Sequence, residues 1–175
     1  MDDLAVVERQ LGRTPRAFRR VAARCPFGLP AVTEQAPYTP DGDPFPTTYY
    51  LTCPHLVAAV ARLEASGGVE RWTRAAAEDP ELAASLAEAT DEQRRIRREL
   101  AGEERGRDGG ASLDLGIGGS RSLGSLKCLH AHVAFALARP GYLLGERVLE
   151  DVEQPWPSGS CCSDRLVEGS LGTRV

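Results

Sequence analysis

Helical periodicity dominates the pattern of apolar and polar positions along the chain. Over residues 4–24 the apolar residues lie three or four apart, and Gly12 and Pro15 divide this stretch into two predicted short helices. Pro54 suits the first turn of a further helix, which is predicted to end at Gly67-Gly68. The apolar face of that helix consists of Leu56, Val57, Val60 and Leu63.

The second half of the chain alternates polar helical patterns with a glycine-rich stretch. Residues 69–101 contain no glycine and are dense in Ala, Glu and Arg, which predicts one or two exposed amphipathic helices with breaks at Pro80 and Thr90-Asp91. Eight glycines in residues 102–124 predict a flexible or ligand-wrapping loop. A strongly apolar last core helix is predicted over residues 126–138.

A short sheet is predicted between the first helices and the helix at Pro54. Six prolines make residues 25–46 extended, and residues 47–52 are rich in β-branched and aromatic side chains, which is typical of a strand. Residues 32–35 are its candidate partner. We therefore expect an α+β fold, predominantly α, with a small antiparallel element near residues 31–53 and a Gly-rich loop before the last core helix.

Length and charge narrow the class of protein. The chain has 175 residues, enough for one domain, which we place at residues 1–155 with a flexible C-terminal tail at residues 156–175. A net charge of -4 makes nucleic acid an unexpected partner. The acidic start at Asp2-Asp3 and the lack of an apolar run of about 18 residues predict a cytoplasmic protein without a membrane span.

Cysteine and histidine residues are the clearest candidates for chemistry. A reducing cytosol would keep most of the five cysteines as thiols. Cys25, Cys53 and Cys128 all lie at predicted element junctions, and three thiolates with one imidazole form a known zinc set. An iron-sulfur cluster is the alternative cofactor. Cys161-Cys162 lies in the predicted tail and is assigned no role.

The fourth ligand of this predicted metal site is His130 or His132. On a helix that already includes Cys128, His132 shares the face of that thiol, whereas His130 points about 200° away. If the helix begins after Cys128, His130 becomes the expected ligand. The opposing interpretation is that each cysteine is a small core residue, because cysteine is among the most buried residue types.

Two further functions follow from other features. Gly118, Gly119 and Arg121 precede the predicted helix start, and Lys127 lies in its first turn, an arrangement that can attract anions. Cys128 near that helix start would then act as the nucleophile of an enzyme on an anionic small molecule. The third function is a protein-interaction module that docks partners on the polar helices of residues 69–101.

Four strings together resemble a bacterial, chiefly actinobacterial, family catalogued as domain of unknown function 501. They are Leu11-Gly12-Arg13-x-Pro15-Arg16, Arg24-Cys25-Pro26-x-Gly28-x-Pro30, residues 44–54 and Lys127-Cys128-Leu129-His130-Ala131. The resemblance spans roughly residues 4–150 and implies a cell-division or phosphate-metabolism context through the genes that accompany the family. Our leading expectation is a metal-binding domain.

Overall fold

The computed structural model describes residues 2–122 and 124–162. Within them, helices and a three-stranded antiparallel sheet form an α+β fold that is predominantly α, as predicted. The helices are α1 (Asp3–Leu11), α2 (Pro54–Ala65), α3 (Gly68–Glu78), α4 (Pro80–Ala101), α5 (Leu129–Ala138) and α6 (Leu143–Glu150). The strands are β1 (Phe18–Arg24), β2 (Pro30–Gln35) and β3 (Tyr49–Leu51).

The sheet extends further toward the N-terminus than predicted. Strand β2 is central, and its pairing with β3 at Val32 and Leu51 confirms the predicted partnership. The predicted second short helix is wrong, because Phe18–Arg24 is β1 and pairs with β2. All six residues of β2 are buried, so its backbone groups need partners on both edges, and β1 supplies one edge.

Helices α2, α3 and α4 follow the sequence pattern closely. Helix α2 begins at Pro54 as predicted, and Asp79 caps α4 by accepting hydrogen bonds from the amides of Glu81 and Leu82. The predicted break at Pro80 is confirmed, but α4 runs on through Thr90-Asp91. Its buried face continues across that dipeptide, and this burial outweighs weak local helix propensity.

Helix α5 occupies the centre of the fold. It packs against β3, α2 and α6, and most of its residues are buried, as expected for a helix that is apolar on all sides. It begins at Leu129, three residues later than the predicted start at Leu126, because Cys128 has an extended backbone. Leu126 is nevertheless buried.

The glycine-rich stretch packs on the domain through two short 3₁₀ turns, Ala111–Asp114 and Ile117–Gly119. Gly118 and Gly119 both have positive φ angles. A Cβ atom at Gly119 would lie 3.0 Å from the Cβ of Pro46, so glycine permits this close approach. In the described part of the chain, no helix is long and apolar enough to cross a bilayer.

The predicted tail lies only partly within the described residues. Residues 163–175 fall outside them. Trp156 and Cys162 are partly buried and pack against the main core, and Cys161 is 3% exposed. Residues 156–162 therefore contribute to the folded domain.

Candidate functional site

Two Cys-Pro junctions lie at one end of the sheet. Cys25 directly follows β1, and Cys53 directly precedes α2, two residues after β3. Because β1 and β3 both run antiparallel to β2, their last residues and the first residues of β2 share one end. The Cys25 amide donates to the Leu29 carbonyl at 2.9 Å, which holds the turn between β1 and β2. The topology thus brings both predicted ligands to the same end of the sheet.

Each of these thiols contacts a cysteine from the end of the described chain. The Sγ atoms of Cys25 and Cys161 are 3.9 Å apart, and those of Cys53 and Cys162 are 3.5 Å apart. All four are thiols rather than disulfides. Since Cys161 and Cys162 are adjacent in sequence, the two contacts are neighbours. We call Cys25, Cys53, Cys161 and Cys162 the thiol quartet.

The thiol quartet is largely shielded from solvent. Cys25, Cys53 and Cys161 are 6%, 1% and 3% exposed, whereas Cys162 is only partly buried. Burial raises the pKa of the Cys53 thiol to about 12, and the neighbouring Cys162 thiol adds to this shift. The Leu56 and His55 amides at the start of α2 oppose it. Without a metal, Cys53 is therefore a protonated thiol at neutral pH.

Cys128 and His130 lie at a different place. They line a cavity of about 350 Å³ together with Thr47, Tyr49, Tyr50, Leu51, Val57, Gly118 and Ala131. Helix α5 begins after Cys128, the case in which His130 is the expected ligand. The two residues do face one cavity, but they share it with aliphatic and aromatic side chains.

Both ring nitrogens of His130 face hydrogen-bond acceptors. Nδ1 lies 3.1 Å from Oε1 of Glu64, and Nε2 lies 3.1 Å from the Val57 carbonyl oxygen. Because carboxylate and carbonyl oxygens only accept, both hydrogen bonds form when each nitrogen carries a proton. A metal ligand or a general base needs a nitrogen lone pair. His130 would have to give up one of these bonds to take either role.

The environment of Cys128 does not activate its sulfur. Burial raises the pKa of the thiol, and the charge of Glu64 acts in the same direction. The amides of Ala131 and His130 and the charge of Lys127 oppose the shift without reversing it. The sequence-based hypothesis of a nucleophilic Cys128 requires the opposite direction.

We therefore expect Cys128 to react more slowly with iodoacetamide at pH 7 than N-acetylcysteine does, because only the thiolate reacts. Mass spectrometry of timed digests, with Cys128→Ser to assign the adduct, measures this rate. Labelling faster than that of the small thiol would contradict the raised pKa and revive the enzyme hypothesis.

His132 is a core residue between α5 and α6. It is 2% exposed, and its Nδ1 lies 2.7 Å from the Tyr142 hydroxyl oxygen. Burial lowers its pKa to about 4, so the ring is neutral at physiological pH. Its hydrogen-bond partner is a residue of the core, which accounts for its presence on the buried side of a largely apolar helix.

The structure divides the predicted anion-binding residues between two places. A Cβ atom at Gly118 would lie 3.8 Å from Cys128 Sγ, and one at Gly119 would lie 3.9 Å from Nζ of Lys127. Arg121 lines a second cavity of about 630 Å³ whose wall includes Asp108 and Asp114. The two carboxylates disfavour an anion there, and anion binding by this set remains a prediction.

The predicted metal set is not assembled into one group. Within residues 2–122 and 124–162, no three His, Cys, Asp or Glu side chains are grouped so that they could hold a metal ion. Cys25 and Cys53 contact other thiols, Cys128 and His130 line a cavity, and His132 contacts Tyr142. The thiol quartet itself forms two pairs.

Sequence reasoning missed half of the thiol quartet. Cys161-Cys162 follows a Pro/Ser/Gly-rich stretch, and local composition of that kind predicts a loop without indicating where the loop docks. The sequence signal for packing of this segment is Trp156, because a large apolar residue is unusual in a solvent-exposed tail. The structure packs it against the core.

The fold and the site define a small α+β domain in which thiols near the end of the chain meet two Cys-Pro junctions of a three-stranded sheet. The chain belongs to the family described as protein of unknown function DUF501, whose model matches residues 21–150. No curated protein and no solved structure matches it. The family match includes Cys25, Cys53 and Cys128 and ends before Cys161 and Cys162.

Proposed function

We propose that the protein binds a single thiophilic metal ion, with Zn²⁺ the best match, through the thiol quartet. Four sulfurs around one zinc at about 2.3 Å define a tetrahedron with edges of about 3.8 Å. The two sulfur contacts, 3.5 and 3.9 Å, lie on either side of that edge length. The match of these two contacts to two of the six edges of the tetrahedron is the observation that carries the proposal.

Closing the two pairs around one ion requires their sulfurs to move toward a common centre, because no three ligating side chains of the described residues are already grouped there. Rotation about a single χ1 angle moves a cysteine sulfur by about 3 Å. Binding would also remove the four thiol protons, including the proton of Cys53, whose pKa burial raises to about 12. Metal affinity would therefore rise steeply with pH.

A single ion fits better than a four-iron cluster. In such a cluster each thiolate binds a different iron atom, so the protein sulfurs stand farther apart than sulfurs that share one ion. A site closed by four protein ligands has no open position for substrate, which is typical of structural zinc. We assign the metal a stabilising role that fastens residues 161–162 to the ends of β1 and β3.

A cysteine-dependent enzyme is the second candidate. The shared cavity of Cys128 and His130 favours it, with a volume of about 350 Å³ that suits a small ligand. The raised pKa of Cys128 and the two engaged nitrogens of His130 weigh against it. We therefore rank metal binding first.

Metal content of matched variants tests the proposal. Protein purified anaerobically with a reductant should carry about one equivalent of zinc by elemental analysis. Cys53→Ser should carry less than about 0.2 equivalent, because three thiolates hold the ion far less tightly. Cys128→Ser is the control and should retain its zinc.

Three outcomes would contradict this proposal. Wild-type protein without zinc under reducing conditions would exclude the site. Zinc lost from both Cys53→Ser and Cys128→Ser but retained by Cys161→Ser would move the ion to the set expected from sequence. Iron with sulfide and a brown colour would replace the single ion with a cluster.

A further inference from the structure

We infer that the thiol quartet is a redox-sensitive lock, in which a peroxide forms the disulfides Cys25–Cys161 and Cys53–Cys162. The release of metal from the lock rests on the proposed function. The pairing of the disulfides rests only on the sulfur contacts.

The contacts select this pairing over its alternatives. A disulfide bond is about 2.05 Å long, so the sulfurs at 3.9 and 3.5 Å must approach by less than about 2 Å. Cys161 and Cys162 are neighbours, so the crossed pairing of Cys25 with Cys162 and Cys53 with Cys161 is the main competitor. Each thiol already has its contact partner in the uncrossed arrangement.

The chemistry needs a peroxide and two thiols for each bond. The Cys162 thiolate attacks the peroxide O–O bond, which leaves a sulfenic acid on Cys162 and releases one water after protonation. The Cys53 thiol then attacks that sulfur and gives up its proton, the S–S bond forms, and the hydroxyl leaves with that proton as a second water. Each disulfide therefore consumes one hydrogen peroxide, which is reduced to two waters.

With zinc bound, the same reaction releases the ion. Four zinc-bound thiolates, two peroxides and four protons give two disulfides, four waters and one Zn²⁺. The charges balance, because a site of net charge -2 takes up four protons and liberates a dication. Oxidation thus replaces the zinc–thiolate bonds of the thiol quartet with two disulfide bonds.

Exposure sets the order of the two steps. The Cys162 side chain is only partly buried, whereas Cys25 and Cys161 are 6% and 3% exposed. Peroxide therefore reaches Cys162 first, and the Cys53–Cys162 bond should precede the other. The two bonds would join residues that are 109 and 136 positions apart.

Oxidation therefore keeps residues 161–162 attached to the rest of the domain after the metal is lost. In the reduced form, residues 161–162 are held by the ion, and in the oxidised form they are bonded to the ends of β1 and β3. A reductant would return the protein to the form that binds metal.

Peptide mapping of the full chain tests the pairing. Proteolysis cannot separate the adjacent Cys161 and Cys162, so single variants are needed to resolve the connectivity. Cleavage at acidic residues separates Cys25 from Cys53, because Glu34, Asp41 and Asp43 lie between them. After hydrogen peroxide, Cys161→Ser should give only the Cys53–Cys162 peptide, and Cys162→Ser only the Cys25–Cys161 peptide.

Zinc release is followed in the same sample with a chromogenic chelator. The wild-type protein should release its zinc at about two peroxide equivalents, lose four thiols and leave Cys128 open to alkylation. Differential alkylation of the wild-type protein keeps the test valid if a variant does not fold.

The outcomes separate the two claims. Crossed pairing, a bond to Cys128, or sulfinic acids without disulfides would overturn the lock, even in protein that holds zinc. If protein purified under reducing conditions holds no zinc and still forms the predicted disulfides, the lock stands and the metal proposal alone fails.

Discussion

We expect Arg97→Ala to lower the free energy of unfolding by about 3–5 kcal/mol, because it leaves a cavity and two buried carbonyls without donors. Arg97 is the largest fully buried side chain in the described part of the chain. Its Nε donates to the Ser112 carbonyl at 3.1 Å, and its Nη1 donates to the Phe45 carbonyl at 2.9 Å. Alanine would leave both carbonyls buried without these donors.

The reason for the large effect is the position of Arg97 between three parts of the fold. Its guanidinium ties α4 to the segment before β3 and to the first 3₁₀ turn of the glycine-rich stretch. Burial lowers the pKa of the group, while the charges of Tyr38 and Asp108 act in the opposite direction. The two carbonyls that accept from the guanidinium offset part of the cost of burying its charge.

Urea unfolding of matched variants measures this effect. Arg98→Ala is the control, since Arg98 is its sequence neighbour, is 59% exposed and forms a surface ion pair with Asp114. That change should cost less than about 1 kcal/mol. A loss below about 1 kcal/mol for Arg97→Ala would contradict the account of this side chain.

The second large effect is a loss of stability in mild acid that originates at His132. Burial lowers its pKa in the folded protein from 6.5 to about 4. Between these values the unfolded chain binds a proton that the folded protein excludes, so stability is complete above pH 6.5 and falls as the pH drops toward 4. The total loss is about 3 kcal/mol, of which about 2 kcal/mol falls between pH 6.5 and 5.

Unfolding of reduced, metal-free protein at pH 7 and pH 5 measures this term without interference from metal loss. His132→Gln should lose most of the difference between the two pH values, whereas His55→Gln should keep it. The lowered pKa values of Asp3, Asp108 and Asp151 act below this window. An unchanged pH dependence in His132→Gln would assign the acid sensitivity to another group.

Local patterns predict the elements whose identity is decided locally. Helix α2 has a proline at its start and two glycines after its last turn, and β2 and β3 have the β-branched and aromatic residues of strands. Strand β1 differs, since Phe18, Val21 and Ala22 also fit helical spacing. Only its pairing with the buried β2 makes it a strand, and that contact is not local.

The candidate site also combines residues that local sequence predicts with residues that only a distant contact brings in. Cys25 and Cys53 could be selected from sequence, because a Cys-Pro step at an element junction places a thiol at a fixed point of the fold. Their partners Cys161 and Cys162 come from far along the chain, and no local pattern specifies that contact. The burial of Arg97 could be predicted from sequence, since it follows Leu86 and Gln93 on the buried face of α4.

Zinc-edge X-ray absorption of the reduced protein tests the central claim most directly, because it counts the ligand atoms of the ion. The thiol quartet predicts a first shell of four sulfurs at about 2.3 Å and no nitrogen. The double variant Cys161→Ser, Cys162→Ser should lose that shell, and Cys128→Ser should retain it. A first shell that contains an imidazole nitrogen, or a four-sulfur shell that survives in the double variant, would contradict the thiol quartet as the metal site.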